Sequence, residues 1–315
     1  MWTQDFAKQS LQSIYEEGHE ILGVVTNPDR PQGRGMKLNF SDVKKYALEK
    51  EIKIYQPQKV KNNIEFIEEI KVLNPDLICV VAYGKILPKD ILGIPKYGCI
   101  NVHGSLLPKY RGAAPIQWAI INGDKKTGIT TMYMDIGMDT GDMILKEEVV
   151  ILDNETTGEL WERLSEIGGK LLVETIKKIE EGNAPRIKQG ENFSMAPMLD
   201  KSISKINWNE LDAVHIKNLV RGLNPIMGTY SFLHDKKIKI WKVDIVSQEE
   251  VDKLELTLEG KENGTVLLSD SKKGLYIKTS NGIISILEIQ GENSKKISIL
   301  DFLRGNKIEV GDLLE

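Results

Sequence analysis

Three side chains in this sequence have types and spacing suited to acid-base chemistry: Asn101, His103 and, further along, Asp139. The apolar pair Cys99-Ile100 leads into Asn101, which predicts that the first two stand near the end of a buried strand. Residues i and i+2 of a strand point to the same face, so an amide and an imidazole would project side by side from a strand terminus. Strand termini are where α/β proteins gather their chemistry. A donor-acceptor group, a titratable ring and a carboxylate make a compact acid-base set. Such a set suits acyl transfer or hydrolysis without a metal. His19, His103, His215 and His234 are scattered and have no metal-ligand spacing.

Positioning that set needs a sheet, and the rest of the chain supplies its elements. Phe6, Leu11, Ile14 and Tyr15 recur at helical spacing, with Asp5 as a cap and Gly18 as a stop. Residues 21–25 and 52–55 read as short strands. Between them lie a loop over 27–39, rich in glycine, proline and basic residues, and a helix after Ser41. Residues 63–72 are helical by spacing, and 77–83 form the continuous apolar run of a buried parallel strand. Beyond the Asn101 strand come a helix at 115–121, strands at 128–134 and 142–152, and a long helix from Thr156 or Thr157 to near Gly182. This alternation predicts an α/β domain with a doubly wound, mostly parallel sheet. Residues 190–206 lack a period and read as a linker, and 207–224 hold one helix. Short β-rich runs at 228–233, 238–246, 264–268, 274–279 and 282–289 predict a small barrel. The expected division is a catalytic domain over 1–189, a linker over 190–206 and a barrel domain over 207–315.

With 315 residues, 41% of them hydrophobic and 28% charged, the chain has the make-up of a soluble protein with room for two cores. Its net charge of −4 excludes a globally basic nucleic-acid binder and leaves only local patches for that task. Cys79 and Cys99 both lie in apolar runs and read as buried reduced thiols, not as a disulfide or metal pair. No apolar run approaches the roughly 20 residues needed to cross a bilayer. The opening residues lack the basic and apolar regions of a signal peptide, so the cytoplasm is the expected location. No Gly-x-Gly-x-x-Gly follows an early strand, which argues against a nicotinamide-dependent oxidoreductase.

The stretch Asn101-Val102-His103-Gly104-Ser105-Leu106-Leu107-Pro108-Lys109-Tyr110-Arg111-Gly112-Ala113-Ala114-Pro115-Ile116 resembles the signature of 10-formyltetrahydrofolate-dependent formyltransferases. Met134-Asp135-Ile136-Gly137-Met138-Asp139-Thr140-Gly141-Asp142 is similar to their second motif. The likeness runs over nearly the whole chain and is strongest to those members whose acceptor is methionyl initiator tRNA. It implies a Rossmann-like catalytic domain, an OB-like C-terminal barrel, and 10-formyltetrahydrofolate as co-substrate with no metal. It implies formyl transfer to the α-amino group of the tRNA-borne methionine, for translation initiation, by a monomer. Asn101, His103 and Asp139 carry over as catalytic residues. Asn101 and protonated His103 would donate hydrogen bonds to a tetrahedral oxyanion, while Asp139 orients the imidazole.

Residues 80–88 resemble the family segment that lines the folate site. The folate neighbours implied are Tyr83, Gly84, Ile86, Leu87, Pro88, Ser105, Leu106, Leu107, Pro108 and Asp135, and Phe6 falls at the methionine or amine site. The basic loop resembles the insertion that enters the tRNA acceptor stem. Arg34, between two glycines, can reach a phosphate or base edge, and Arg30 and Lys37 add phosphate attraction. Leu223-Asn224-Pro225 and Asp301-Phe302-Leu303-Arg304-Gly305 resemble stretches of the family's tRNA-binding barrel, where Lys236 and Lys237 are the expected contacts.

Family members open with an apolar strand followed by Gly-Thr-Pro-Asp-Phe. Here Thr3, Asp5 and Phe6 match, while Trp2 and Gln4 replace the glycine and proline and the strand is not written. This reads as a truncated or misassigned start that leaves neighbouring strand edges unpaired. Two other functions stay open. One keeps the folate chemistry with a nucleotide sugar, a purine precursor or water as acceptor; the basic loop argues against it. The other is a catalytically impaired tRNA-binding protein, which the intact Asn101, His103 and Asp139 set argues against.

Overall fold

The structure, a computed structural model, describes residues 3–32 and 37–315, with side chains at 6–29 and 40–315. Contacts divide the chain into two units. The first comprises Met1–Ile116, Lys126–Val150 and Glu159–Met198; the second comprises Gln117–Lys125, Ile151–Gly158 and Leu199–Glu315. Residues 190–198, expected to begin a linker, belong to the first unit, because their backbone is hydrogen-bonded to the 110–114 loop.

The chain begins with α1 (Thr3–Glu16), β1 (Val24–Val25), the paired strands β2 (Arg30–Gln32) and β3 (Lys37–Asn39), α2 (Asp42–Glu49) and β4 (Ile54–Tyr55). Ser41 Oγ caps α2 by accepting from the Lys44 amide at 3.1 Å, the usual task of a short hydroxyl there. α3 (Ile64–Leu73) starts at Asn63, whose side chain accepts from the Phe66 amide, and ends at Asn74 in the left-handed region with φ 46°. Next come β5 (Ile78–Val81), α4 (Lys89–Leu92), β6 (Cys99–His103), α5 (Pro115–Ile121), β7 (Lys126–Tyr133), β8 (Met143–Val150) and α6 (Thr157–Glu180).

These strands form separate sheets instead of the single doubly wound, mostly parallel sheet expected. β1 and β4 pair in parallel, Val24 against Ile54. A four-stranded sheet has the order β5-β6-β7-β8. Within it only β5 and β6 run parallel; β7 and β8 are antiparallel to their neighbours. The connection between β7 and β8 is too short for a parallel crossover, which takes a dozen or more residues. β1 and β5 each keep one edge without a ladder among the described residues. Cys79 and Cys99 are both free, and burial pushes each thiol up to about 12.

The second unit contains α7 (Ala213–Leu223), β9 (Thr229–Leu233), β10 (Lys236–Ile245), α8 (Gln248–Lys253), β11 (Val266–Asp270), β12 (Gly274–Lys278), β13 (Ile283–Gln290), β14 (Ile297–Ser298) and α9 (Ile299–Gly305). Its sheet is antiparallel in the order β11-β12-β13-β10-β9, with β14 on β13. Ile238, Ile240, Val243, Ile277, Ile284, Ile286 and Ile289 fill its core. Ile240 and Val243 both face inward because the register shifts between them, as a bulge allows. Strand spacing predicts a barrel, yet the ladder is an open sheet that ends at β9 and β11. The C-terminal residues are bonded beside both ends: Glu315 exchanges backbone hydrogen bonds with Phe232, and Leu314 donates to Gly264 O at 3.0 Å.

Candidate active site

β6 ends in Asn101-Val102-His103 because Cys99, Ile100 and Val102 are buried and fix its faces. Its register sets Val80 of β5 opposite Asn101, and Thr130 of β7 opposite His103. Asn101 is half-buried, and its amide makes no hydrogen bond to another described residue. His103 is buried. The segment that follows is held by side chains from the antiparallel strands. Thr130 Oγ1 donates to Ser105 O at 2.7 Å and accepts from the Leu107 amide at 3.1 Å. Lys146, the cross-strand neighbour of Thr130, donates from Nζ to Leu107 O. Desolvation holds that ammonium's pKa below its usual value.

The chain then turns at Tyr110, a buried residue in the left-handed region with φ 61°. Tyr110 O lies 2.9 Å from His103 Nε2. A carbonyl can only accept, so the neutral ring carries its proton on Nε2 and leaves Nδ1 as the basic atom. Nδ1 faces Asp139 Oδ2 across 3.7 Å, beyond a direct hydrogen bond. That same carboxylate oxygen accepts from the Gly112 amide at 2.8 Å. Gly112 has φ 124°, and a Cβ there would stand 2.6 Å from Ala196 O, so only glycine brings this amide to Asp139. Asp139, on the connection between β7 and β8, is itself left-handed with φ 54°. The close approach of Gly141, where a Cβ would lie 1.8 Å from Tyr133 O, keeps its turn tight. A proton reaching Nδ1 would make an imidazolium with both nitrogens aimed at acceptors. The arrangement can therefore take up a proton beside a carboxylate, with the Asn101 amide, unbonded among the described residues, on the same strand face.

The other expected contacts fall into three groups. Tyr83, Gly84, Ile86, Leu87 and Pro88 follow β5 just as residues 104–108 follow β6, at the same end of two parallel strands. Ile86 is 70% exposed, Leu106 and Pro108 are half-buried, and Tyr83 Oη is buried without a partner among the described residues. Asp135 is exposed and shapes the turn before Asp139 by accepting from the Gly137 amide and Thr140 Oγ1. Leu87, Ser105 and Leu107 are buried, Leu107 against Met132 and Met143, and Ser105 and Leu107 present no surface of their own. Phe6, expected at the methionine or amine site, is 3% exposed, and its ring meets Trp161 edge-to-face at 5.5 Å, which packs α1 on α6.

Among the expected tRNA contacts, Arg34 lies outside the described residues, and Arg30 and Lys37 are described only as backbone of the β2–β3 pair. In the second unit, Lys236 is exposed, and Lys237 Nζ sits 3.6 Å from the centre of the Tyr230 ring. Sequence reasoning missed Gln189 and Ser194. Ser194 Oγ accepts from the Tyr110 amide at 2.9 Å, and Gln189 is bonded to both the Arg111 side chain and the Asp139 turn. A polar residue in an aperiodic stretch gives no local signal of such contacts.

A family model described as Formyl transferase matches residues 2–176, and one described as Formyl transferase, C-terminal domain, matches residues 198–307. A protein of Clostridioides difficile (strain 630) named methionyl-tRNA formyltransferase is 50% identical over 315 residues, covering 100% of this chain and 98% of that one. A protein of the same name from Clostridium perfringens (strain SM101 / Type A) is 51% identical over 316 residues, with the same coverage of 100% and 98%. Among solved structures, the sugar 3N-formyl transferase WlaRD, in the presence of dTDP and 5-N-formyl-THF, has a TM-score of 0.62 at 21% identity, covering 92% of this chain and 95% of that one. HypX from Aquifex aeolicus, in complex with tetrahydrofolic acid, has a TM-score of 0.58 at 18% identity, covering 84% of this chain and 47% of that one. These two share the fold. The chain belongs to the formyl transferase family.

Proposed function

We propose that this protein transfers the formyl group of 10-formyltetrahydrofolate to the α-amino group of methionine carried by initiator tRNA. The observation that carries the reading is identity of about half, end to end, to relatives named methionyl-tRNA formyltransferase. The site fits the formyl donor: a flat heteroaromatic ligand suits loops that offer main-chain groups beside apolar side chains such as Ile86, Ile136 and Met138, all exposed.

The amine adds to the formyl carbon, and the carbonyl oxygen becomes an oxyanion. Asn101 donates a hydrogen bond to that oxygen from its otherwise unbonded amide. The added amine is cationic and must lose a proton. His103 Nδ1 takes it, directly or through one water, because Nε2–H is committed to Tyr110 O. Asp139 stabilises the resulting imidazolium. The same proton then passes to N10 as the bond from N10 to the formyl carbon breaks. This places the imidazolium's working proton on Nδ1. Arg30, Arg34 and Lys37 contact the acceptor stem, and Lys236 and Lys237 contact phosphates. The backbone bonds that Leu314 and Glu315 make beside both ends of the second unit's sheet support an OB-like reading of that domain. The enzyme works in the cytoplasm as a monomer; no described helix is long and apolar enough to cross a membrane.

The test is direct. The chain is incubated with 10-formyltetrahydrofolate and either initiator or elongator methionyl-tRNA, and formylmethionine is measured. Formylation of the initiator alone is expected. Equal formylation of both, or of free amino sugars in place of tRNA, would overturn the reading.

A further inference from the structure

The Asp139 turn and the 110–112 loop come from distant parts of the chain, and something must set their spacing. Gln189 spans them. Its Nε2 donates to Asp139 O at 2.8 Å and to Gly141 O at 2.9 Å, which ties together both ends of the turn. Its Oε1 accepts from Arg111 Nε at 2.9 Å. Both donor hydrogens and the acceptor are thereby used. Arg111 is buried, and its guanidinium stacks over the Phe193 ring at 4.5 Å. The flanking residues of Arg111 make the two catalytic contacts: Tyr110 O to His103, and Gly112 N to Asp139.

The brace extends beyond one side chain. The Arg111 amide donates to Ser194 O at 2.8 Å, Ala196 N donates to Arg111 O at 2.7 Å, and Ala114 N donates to Ala196 O at 3.1 Å. The 110–114 loop is thus pinned along its length by residues 194–196, while Gln189 reaches across to the main chain of the Asp139 turn. We propose that Gln189 is a positioning residue for formyl transfer, fixing Asp139 against His103 Nδ1 by bridging Arg111 to the Asp139 turn. The inference rests on the reading of Asp139 and His103 as the reacting pair. Asp139 is left-handed and held to this loop by one carboxylate hydrogen bond. Without the two carbonyl contacts the turn loses the side-chain restraint on its main chain at Asp139 and Gly141. A displacement of about an ångström at such a group can cost on the order of 100-fold in rate.

Gln189→Ala and Gln189→Glu separate this role from simple packing. Glu keeps the size and the acceptor for Arg111, and adds an opposite charge beside it, but it has no N–H for the two carbonyls. Stopped-flow formyl transfer to initiator methionyl-tRNA, steady-state KM for the folate, and thermal melting are measured for each. Both variants are expected to lose about 10- to 100-fold in kcat, with folate KM within about twofold and each variant still folded, its melting lowered by only a few degrees. Gln189→Glu with kcat within about twofold of wild type would overturn the proposal, as would a kcat loss confined to Gln189→Ala. Should the wild-type chain transfer no formyl group, the functional reading fails. A crystal structure of Gln189→Glu still decides the bridge: a longer spacing from Asp139 to His103 supports it, and an unchanged spacing overturns it.

Discussion

The loops around His103 in the first unit and the sheet of the second use the same unusual backbone for opposite ends. In the sheet, left-handed residues His234 and Asp235 (φ 48° and 62°) form the exposed two-residue turn between Leu233 and Lys236. Both central residues of a type I′ turn need positive φ, so this conformation simply reverses the chain. Around the active site, Tyr110 and Asp139 take it up away from full solvent (φ 61° and 54°), and each aims a group at His103. Such residues cost on the order of 1 kcal/mol apiece and persist where surroundings over-determine them. Here the surroundings are hydrogen bonds to Gly112, Ser194 and Gln189. The sheet instead relies on branched apolar side chains, with Ile240, Ile277, Ile284, Ile286 and Ile289 wholly buried. Chemistry and cohesion are thus supplied by different materials, and perturbing each region should read out differently.

The largest expected effect is on rate. Asp139→Asn keeps the side chain's shape but removes the charge facing Nδ1, and it should lower kcat by about 10²- to 10⁴-fold. Folate affinity and melting temperature should stay near wild type, as quench-flow kinetics and calorimetry would reveal. Turnover close to normal would remove Asp139 from the mechanism and dissolve the contrast drawn above. The second effect is on stability. Ile286→Ala deletes methyl and methylene groups from a fully buried site between β10 and β12. It should cost about 2–5 kcal/mol in urea unfolding, with kcat per folded molecule changed less than twofold. A catalytic loss out of proportion to the unfolded fraction would break the comparison.

What the sequence disclosed follows the range of the interactions. Period-two alternation and an apolar lead-in are local, so the β6 strand and the pairing of Asn101 with His103 on one face were legible. Asp139 was singled out by the resemblance of residues 134–142 to a family motif, since its flanking glycines alone suit an ordinary turn. The bridge made by Gln189 reaches 50 residues back to Asp139 and 78 back to Arg111, and no local pattern encodes it. Alternating strands and helices suggested parallel pairing, but the direction of β7 and β8 depends on how short the connection is between them. Strand spacing likewise counts strands without saying which ends meet, hence a barrel was expected where the ladder is open. Phe6 was singled out by its match to the family's opening motif, and its packing against the Trp161 ring, 155 residues on, has no local signal.

The smallest effect tests whether polar side chains also matter to the sheet unit, at its helix α7. Asp212 Oδ1 accepts from the His215 amide at 2.8 Å and caps the helix. That hydrogen bond, reinforced by the His215 ring, holds the carboxyl below its ordinary value. The folded state therefore binds a proton at Asp212 less readily than the unfolded chain, whose value is about 3.9. Its stabilisation is fully present above that value and is lost as pH falls through the lower, folded one. Asp212→Ala should cost about 1 kcal/mol at pH 7. The gap to wild type should narrow as urea titrations move below about pH 4. Asp212→Asn should recover most of the loss at pH 7, because an amide oxygen also caps, yet it should remove this residue's share of the acid dependence. An equal penalty for both variants at every pH would mean that the cap contributes packing and not a charge-assisted hydrogen bond. The division between a hydrogen-bonded site and an apolar sheet would then hold at this helix terminus too.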